Sequence, residues 1–235
     1  VRGTLSCLDA ATGKVLWRKD DFAGEWPRFF TSSSPMITDN LCIAQLGSEE
    51  KGGIVAYDLT SGDQKWKWTG DGPAYASPAL MTVEGTTLII AETEKSIVAL
   101  NLADGKLLWS AKLGKAGAPG WGGFAGPRCT PTVDGSLVFA LGQYGEVICV
   151  KAEDGKEIWR YDPKVPGETG PKACCDVVNR GVAVWEGSVF VGTLDGRLVS
   201  LDAATVVFGI AEKNVVWAAV FPDAPGKLET RLAGD

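Results

Sequence analysis

Two cysteines stand side by side at Cys174-Cys175, and no other pair of residues in this 235-residue chain offers chemistry as specific. A disulfide between neighbours closes a small strained ring, forces the intervening peptide out of its relaxed geometry, and presents a flat, polarizable sulfur surface suited to stacking on a planar group. The alternative is two reduced thiols, one buried and one exposed. No further cysteine or histidine flanks the pair, so the sulfurs make a poor metal site. The chain has no histidine at all. That excludes the Ser-His-Asp triad, the Cys-His pair, His-ligated zinc and an imidazole general base together.

What positions this loop is a repeat. Leu8-Asp9-Ala10-Ala11-Thr12-Gly13-Lys14-Val15-Leu16-Trp17 recurs as Tyr57-Asp58-Leu59-Thr60-Ser61-Gly62-Asp63-Gln64-Lys65-Trp66, then at 100–109 and at 150–159. The tryptophans Trp17, Trp66, Trp109 and Trp159 fall 49, 43 and 50 residues apart. A fifth copy starts at Leu201-Asp202-Ala203-Ala204-Thr205, loses the Gly-Lys at Val206-Val207-Phe208, and recovers a tryptophan at Trp217. Upstream of the second, third and fourth copies stand Ser33-Ser34-Pro35, Ala76-Ser77-Pro78 and Cys129-Thr130-Pro131, with Asn179-Arg180-Gly181 at the same point of the last unit.

Hairpin signals such as Asp134-Gly135, Tyr144-Gly145 and Asp154-Gly155 join the apolar runs of each unit, and three turns join four antiparallel strands. Four short strands per repeat predict an all-β fold, a β-propeller of four-stranded antiparallel blades. A half blade covers 1-20, blades cover about 25-68, 74-112, 125-162 and 175-217, and a C-terminal tail covers 218-235. This amounts to about four and a half blades, a small ring or part of a larger one, with the tail able to supply strands that the first half blade lacks. The recurring tryptophans are wedges between blades. Cys7, Cys42, Cys129 and Cys149 fall in slots that other copies fill with small or apolar residues, and behave as small hydrophobes.

In a propeller the loops from one blade's outer strand to the next blade's inner strand converge on the axis, where ligands bind. Cys174-Cys175 lies in such a loop. The equivalent loops carry Trp26, Arg28, Phe29 and Phe30, then Tyr75, then Trp121, Phe124 and Arg128. Exposed on one rim, these residue types anchor a protein partner; alternatively Phe29 and Phe30 plug the axial channel. A formal charge of −6 without a Lys/Arg cluster offers nothing to a phosphate backbone, so nucleic acid is not an expected partner. No apolar stretch is long enough to span a bilayer.

From about Gly155 to Thr205 the sequence resembles the pyrroloquinoline quinone (PQQ) dependent alcohol dehydrogenases. The likeness is carried by Trp159-Arg160-Tyr161-Asp162-Pro163, by Lys172-Ala173-Cys174-Cys175-Asp176-Val177-Val178-Asn179-Arg180-Gly181, and by Val191-Gly192-Thr193-Leu194-Asp195-Gly196-Arg197. The resemblance implies a vicinal disulfide at Cys174 and Cys175 capping the quinone ring, with Arg180 contacting the quinone oxygens. It implies Ca²⁺ or a lanthanide as the partner metal. Its metal ligands, catalytic aspartate and tryptophan floor come from blades after the disulfide, where this chain loses the repeat after Thr205, so no residue is assigned to those roles. Residues 1 to 160 are similar to a looser group of PQQ-like repeats that includes bacterial enzymes and cofactor-free scaffolds such as the lipoprotein of the outer-membrane protein assembly machinery. The expectation is a quinoprotein-type propeller that catalyses only when further blades or chains complete it; the alternative is a non-catalytic scaffold for a protein partner. A persistent vicinal disulfide places the chain in the periplasm or at the cell surface.

Overall fold

The computed structural model describes residues 3–49, 51–117, 125–172, 177 and 179–205, together with the backbone of 217–218 and 230–231. Its elements are strands apart from one helical turn, α1 (Thr169–Lys172). The first unit gives β1 (Leu5–Leu8) and β2 (Val15–Lys19). The second gives β3 (Met36–Thr38), β4 (Leu41–Gly47), β5 (Gly52–Asp58) and β6 (Gln64–Gly70), and the third gives β7 (Ala79–Val83), β8 (Thr86–Glu92), β9 (Ser96–Asn101) and β10 (Leu107–Lys112). The fourth gives β11 (Thr132–Asp134), β12 (Leu137–Leu141), β13 (Val147–Lys151) and β14 (Glu157–Tyr161). The fifth gives β15 (Val182–Trp185), β16 (Ser188–Gly192) and β17 (Leu198–Asp202). Within each unit the strands pair antiparallel with their chain neighbours, so every unit is a meander. The first strands β7, β11 and β15 lie against one another and line the hub. The sheets form an open arc of propeller blades.

The core lies between blades rather than inside any one of them. One apolar cluster joins units one and two (Phe22, Ala44, Tyr57), a second joins two and three (Ile43, Ile54, Ile89), a third joins three and four (Ile90, Ala99, Ile148), and a fourth joins four and five (Phe139, Val147, Val191). Stacking on both faces explains the second and third strands, which read as buried runs rather than alternating ones. The outer strands β6, β10 and β14 bury little more than their tryptophans.

Each tryptophan is both wedge and tether. The indole N–H of Trp17 donates to the Leu59 carbonyl at 2.9 Å, Trp66 to Leu102 at 2.9 Å, Trp109 to Ala152 at 2.7 Å and Trp159 to Ala203 at 3.0 Å. A Cβ placed on Gly62, Gly105 or Gly155 would sit 2.8, 2.4 or 2.5 Å from the ring of the preceding unit's tryptophan, which is why the slot holds glycine. The preceding Asp or Asn shapes the turn: Asp9 Oδ1 accepts from the Thr12 amide at 2.7 Å, and Asp58 Oδ1 from the Ser61 amide at 2.9 Å. Each of these two carboxyls is held below its ordinary pKa, Asp9 chiefly by its bond from the Thr12 side chain and Asp58 chiefly by the Ser61 amide.

Four expectations need correcting. The turn at Asp134-Gly135 is centred one residue later, on Gly135-Ser136, with positive φ at Gly135 alone, whereas Asp39-Asn40, Glu84-Gly85 and Glu186-Gly187 carry it at both central residues. Cys7 is half-buried, because its sheet has two strands where the other blades have four or three; Cys42, Cys129 and Cys149 are buried free thiols as expected. Trp217–Ala218 (β18) pairs with Thr230–Arg231 (β19) in a separate two-stranded sheet instead of forming the fifth unit's outer strand, so that unit has three paired strands among the described residues. For the same reason these tail strands do not complete the first half blade.

Candidate functional site

The loops between units and the turns between second and third strands meet at one end of the arc. The Tyr75 amide donates to the Pro127 carbonyl, the Phe29 amide to the Tyr75 hydroxyl at 3.3 Å, the Ser34 amide to Ser77 Oγ, and the Gly126 amide to Gln143 Oε1 at 2.9 Å. Each loop is thereby pinned to the next. The Arg128 guanidinium lies 5.6 Å from the centre of the Tyr75 ring and donates to the Gly126 carbonyl at 2.6 Å. Arg128 is thus buried, which corrects its expected place on an exposed rim: its charge is spent inside the loop stack. Tyr75 and Trp26 are half-buried and Arg28 is exposed. Phe29 and Phe30 are 51% and 45% exposed. Trp121 and Phe124 lie outside the described residues.

Cys174 and Cys175 also lie outside the described residues, but both shoulders of their loop are described. On one side Pro163 is clamped: Arg197 Nη2 donates to its carbonyl at 2.6 Å while pairing with Asp195 at 2.7 Å. The Arg197 hydrogen bond holds the Asp195 carboxyl below the usual carboxylate range. On the other side Asn179 Nδ2 donates to the Gly192 carbonyl at 2.7 Å, and its Oδ1 accepts from the Gly181 amide at 3.3 Å. Arg180, between those two anchors, is exposed. A cavity of about 110 Å³ opens beside the same loop, lined among others by Tyr144, Pro163, Val165, Val177, Asn179 and Leu194. A guanidinium with a fixed root and a free head can donate to anionic or carbonyl oxygens of a ligand. Among the described residues no three His, Cys, Asp or Glu side chains gather as a metal-ligand set.

One group was not singled out from sequence. Glu92 ends β8 fully buried; its Oε1 accepts from the Cys129 thiol at 3.1 Å and the Leu141 amide at 3.4 Å, and its Oε2 has no partner. Burial pushes its pKa up to about 8, and burial beside Glu92 pushes the Cys129 thiol up as well. Gln45, at the same place in the preceding blade, donates to the Glu92 carbonyl at 2.7 Å. The signal was present: an acid closing the apolar run Leu88-Ile89-Ile90-Ala91.

Comparison with known proteins divides the chain in two. A family model described as outer membrane protein assembly factor BamB matches residues 1–151, and one described as glucose/ethanol/alcohol dehydrogenase, beta-propeller domain, matches residues 121–207. The chain is 52% identical over 80 residues to 1-butanol dehydrogenase (cytochrome c) of Thauera butanivorans, covering 34% of this chain and 12% of that protein. It is 39% identical over 141 residues to quinohemoprotein alcohol dehydrogenase of Comamonas testosteroni, covering 57% of this chain and 19% of that protein. It therefore spans less than a fifth of these relatives. Among solved structures, BamB of Moraxella catarrhalis superposes with a TM-score of 0.63 at 20% identity, over 87% of this chain and 56% of that one, a likeness of fold.

Proposed function

Because the chain belongs to the PQQ-like β-propeller repeat family, we propose that it forms part of the wall of a quinone-binding site related to that of quinoprotein alcohol dehydrogenases, with catalysis only where further blades or chains complete the site. The observation that carries this reading is the match of residues 121–207 to the dehydrogenase propeller model, because that stretch contains the cysteine pair and Arg180. In this reading Cys174 and Cys175 form a vicinal disulfide that stacks on the ring of PQQ, and Arg180 donates to its oxygens. When bound, the quinone supplies a two-electron acceptor. The chain's own contributions are to hold the capping loop between the Pro163 and Asn179 anchors and to set a fixed positive charge where negative charge gathers on the ring. The described residues show no ligand set for Ca²⁺ or a lanthanide, and no step is routed through a metal. A vicinal disulfide also implies an oxidising compartment, the periplasm or cell surface; no helix among the described residues is long and apolar enough to cross a membrane.

Titration of the chain with PQQ and Ca²⁺, followed by indole fluorescence quenching and quinone absorbance, tests this. Saturable binding at micromolar quinone that falls at least tenfold in Arg180→Ala and in Cys174→Ser/Cys175→Ser supports the reading. Binding unchanged in these variants, or none at all, refutes it.

The exposed Phe29 and Phe30 favour a second reading, a non-catalytic scaffold whose loop face, with Trp26, Arg28, Tyr75, Trp121 and Phe124, takes a protein partner. A partner retained by the wild type and lost in Trp26→Ala and Trp121→Ala, with quinone binding unaffected, would support it.

A further inference from the structure

Glu92 is shut in where three units meet, and one of the walls around it can give. Its backbone belongs to β8, where it pairs with Ile97, and its carbonyl accepts from Gln45 Nε2 of the second unit at 2.7 Å. Leu141, whose amide donates to Glu92 Oε1, pairs with Val147 inside the fourth sheet. Cys129 stands instead on residues 126–129, a segment outside the strands that lies directly on the turn after β8: a Cβ on Gly126 would come within 3.3 Å of the Glu94 Cα. Separate bonds rather than a ladder hold this segment, from the Tyr75 amide to the Pro127 carbonyl at 3.1 Å, from the Gly126 amide to Gln143 Oε1 at 2.9 Å, and from the Cys129 thiol to Glu92 Oε1 at 3.1 Å. The surroundings are rich in acceptors, since Glu92 Oε2 and Gln45 Oε1 are both buried without a donor. The charged groups nearby act elsewhere. Arg128 is held by the Tyr75 ring and the Gly126 carbonyl, while Lys95, Glu49 and Asp71 act on Glu94. A carboxylate at Glu92 therefore has two donors and no counter-ion among the described residues, and such a charge is tolerated only where water reaches it.

We propose that Glu92 and Cys129 form a proton-operated latch on the loop face: the protonated carboxyl keeps residues 126–129 shut, and loss of its proton shifts them toward an open form in which water reaches Glu92 and Arg128 swings out from the Tyr75 ring. Opening falls on this segment because it breaks separate bonds, whereas freeing Glu92 from either side wall would break a paired strand. The thiol is no competing switch, because burial beside Glu92 holds Cys129 protonated. In the open form Arg128 adds its charge to that of the exposed Arg28 on the same face, so the face attracts an acidic partner surface more strongly as the pH rises.

Hydrogen exchange of the whole chain from pH 5 to 8.5, corrected for the intrinsic exchange rate, reads the latch. The carboxyl keeps its proton up to about 8 when shut in and up to 4.5 when solvated, so opening should grow by up to about tenfold per pH unit between these values and level off above them. Protection of the amides of 126–130 should fall at least tenfold from pH 5.5 to 7.5 while remaining well below that of β8 and β12. Trypsin, its rate normalised to a short peptide, should cut the Arg128–Cys129 bond severalfold faster at pH 8 than at pH 7. Glu92→Gln should abolish both responses, and Glu94→Gln, which removes the neighbouring acid, should abolish neither. Should Glu92→Gln fail to fold, urea decides with the wild type alone: exchange at 126–130 should be insensitive to low urea, as local opening is, and exchange in β8 and β12 sensitive to it. A segment whose protection ignores pH, a decline that survives Glu92→Gln or vanishes in Glu94→Gln, or exchange that shares the size and urea dependence of the strands would overturn the proposal.

Discussion

Replacing Glu92 by glutamine isolates the energetic consequence of burying one acid between two blades. The carboxyl titrates at 4.5 when solvated and is pushed up to about 8 in the folded chain, chiefly by burial. The folded state therefore binds the proton more tightly than the unfolded state. Stability due to this group is fully present below pH 4.5, declines as the pH rises toward 8, and is flat above that. At about 1.4 kcal/mol per pH unit over roughly three and a half units, the wild type loses on the order of 5 kcal/mol across this window. Glu92→Gln keeps the shape and an oxygen for the Cys129 and Leu141 donors but has no charge to desolvate, so its profile should lose this decline and keep only the part due to other groups. Near pH 8.5 the variant should then be more stable by about 4 kcal/mol, or about 8–16 °C in melting temperature for a chain of this size. The window is well suited to the measurement because the chain has no histidine. Glu94, also raised by burial, is the other acid that reaches into it, so Glu94→Gln is the control. Urea unfolding followed by tryptophan fluorescence from pH 4 to 9 gives the result. Parallel profiles for wild type and Glu92→Gln would refute the reasoning.

Trp109→Phe keeps most of the wedge but leaves the buried Ala152 carbonyl without its donor, and should cost about 1–3 kcal/mol in chemical unfolding, with the loss shared by units three and four in hydrogen exchange. Gly105→Ala forces a methyl group to within 2.4 Å of the Trp66 ring on a backbone at φ 69°, and should destabilise by at least about 2 kcal/mol in the same assay, whereas the same change at Gly13 faces open space and should cost only its turn strain. Arg197→Ala removes the bond to the Pro163 carbonyl on a partly exposed side chain; its effect on global unfolding should be under about 1 kcal/mol, but limited proteolysis between residues 163 and 172 should accelerate severalfold.

The blade pattern was legible because a propeller repeats one local solution. The tryptophan, the Asp or Asn turn and the glycine recur at fixed spacing, and the structure gives each the task the spacing suggested. The glycine's second task was not legible, since Gly62, Gly105 and Gly155 are read locally as turn residues while their contact is with a ring 39 to 46 residues upstream. The loop face was only partly legible for a related reason. Arg128 was expected on the exposed rim as a residue type that anchors a partner, but its guanidinium is held inside by the Tyr75 ring face and the Gly126 carbonyl. Glu92 was overlooked for the opposite reason: its partners Cys129 and Leu141 come from the next blade, and sequence distance hides them.

These cases share a cause that bears on the candidate site. With the apolar clusters lying between blades, no unit positions its own loop unaided; each loop end is tied to the unit before or after it. The root of Arg180 is set by Asn179 bonding to the β16 end at Gly192, and β15, which follows it, is held to the fourth unit where Thr132 Oγ1 donates to the Val182 carbonyl at 3.0 Å. Stability in such an array is approximately a sum of unit and neighbour terms. Loosening the interface between units four and five should therefore displace Arg180 while leaving units two and three folded.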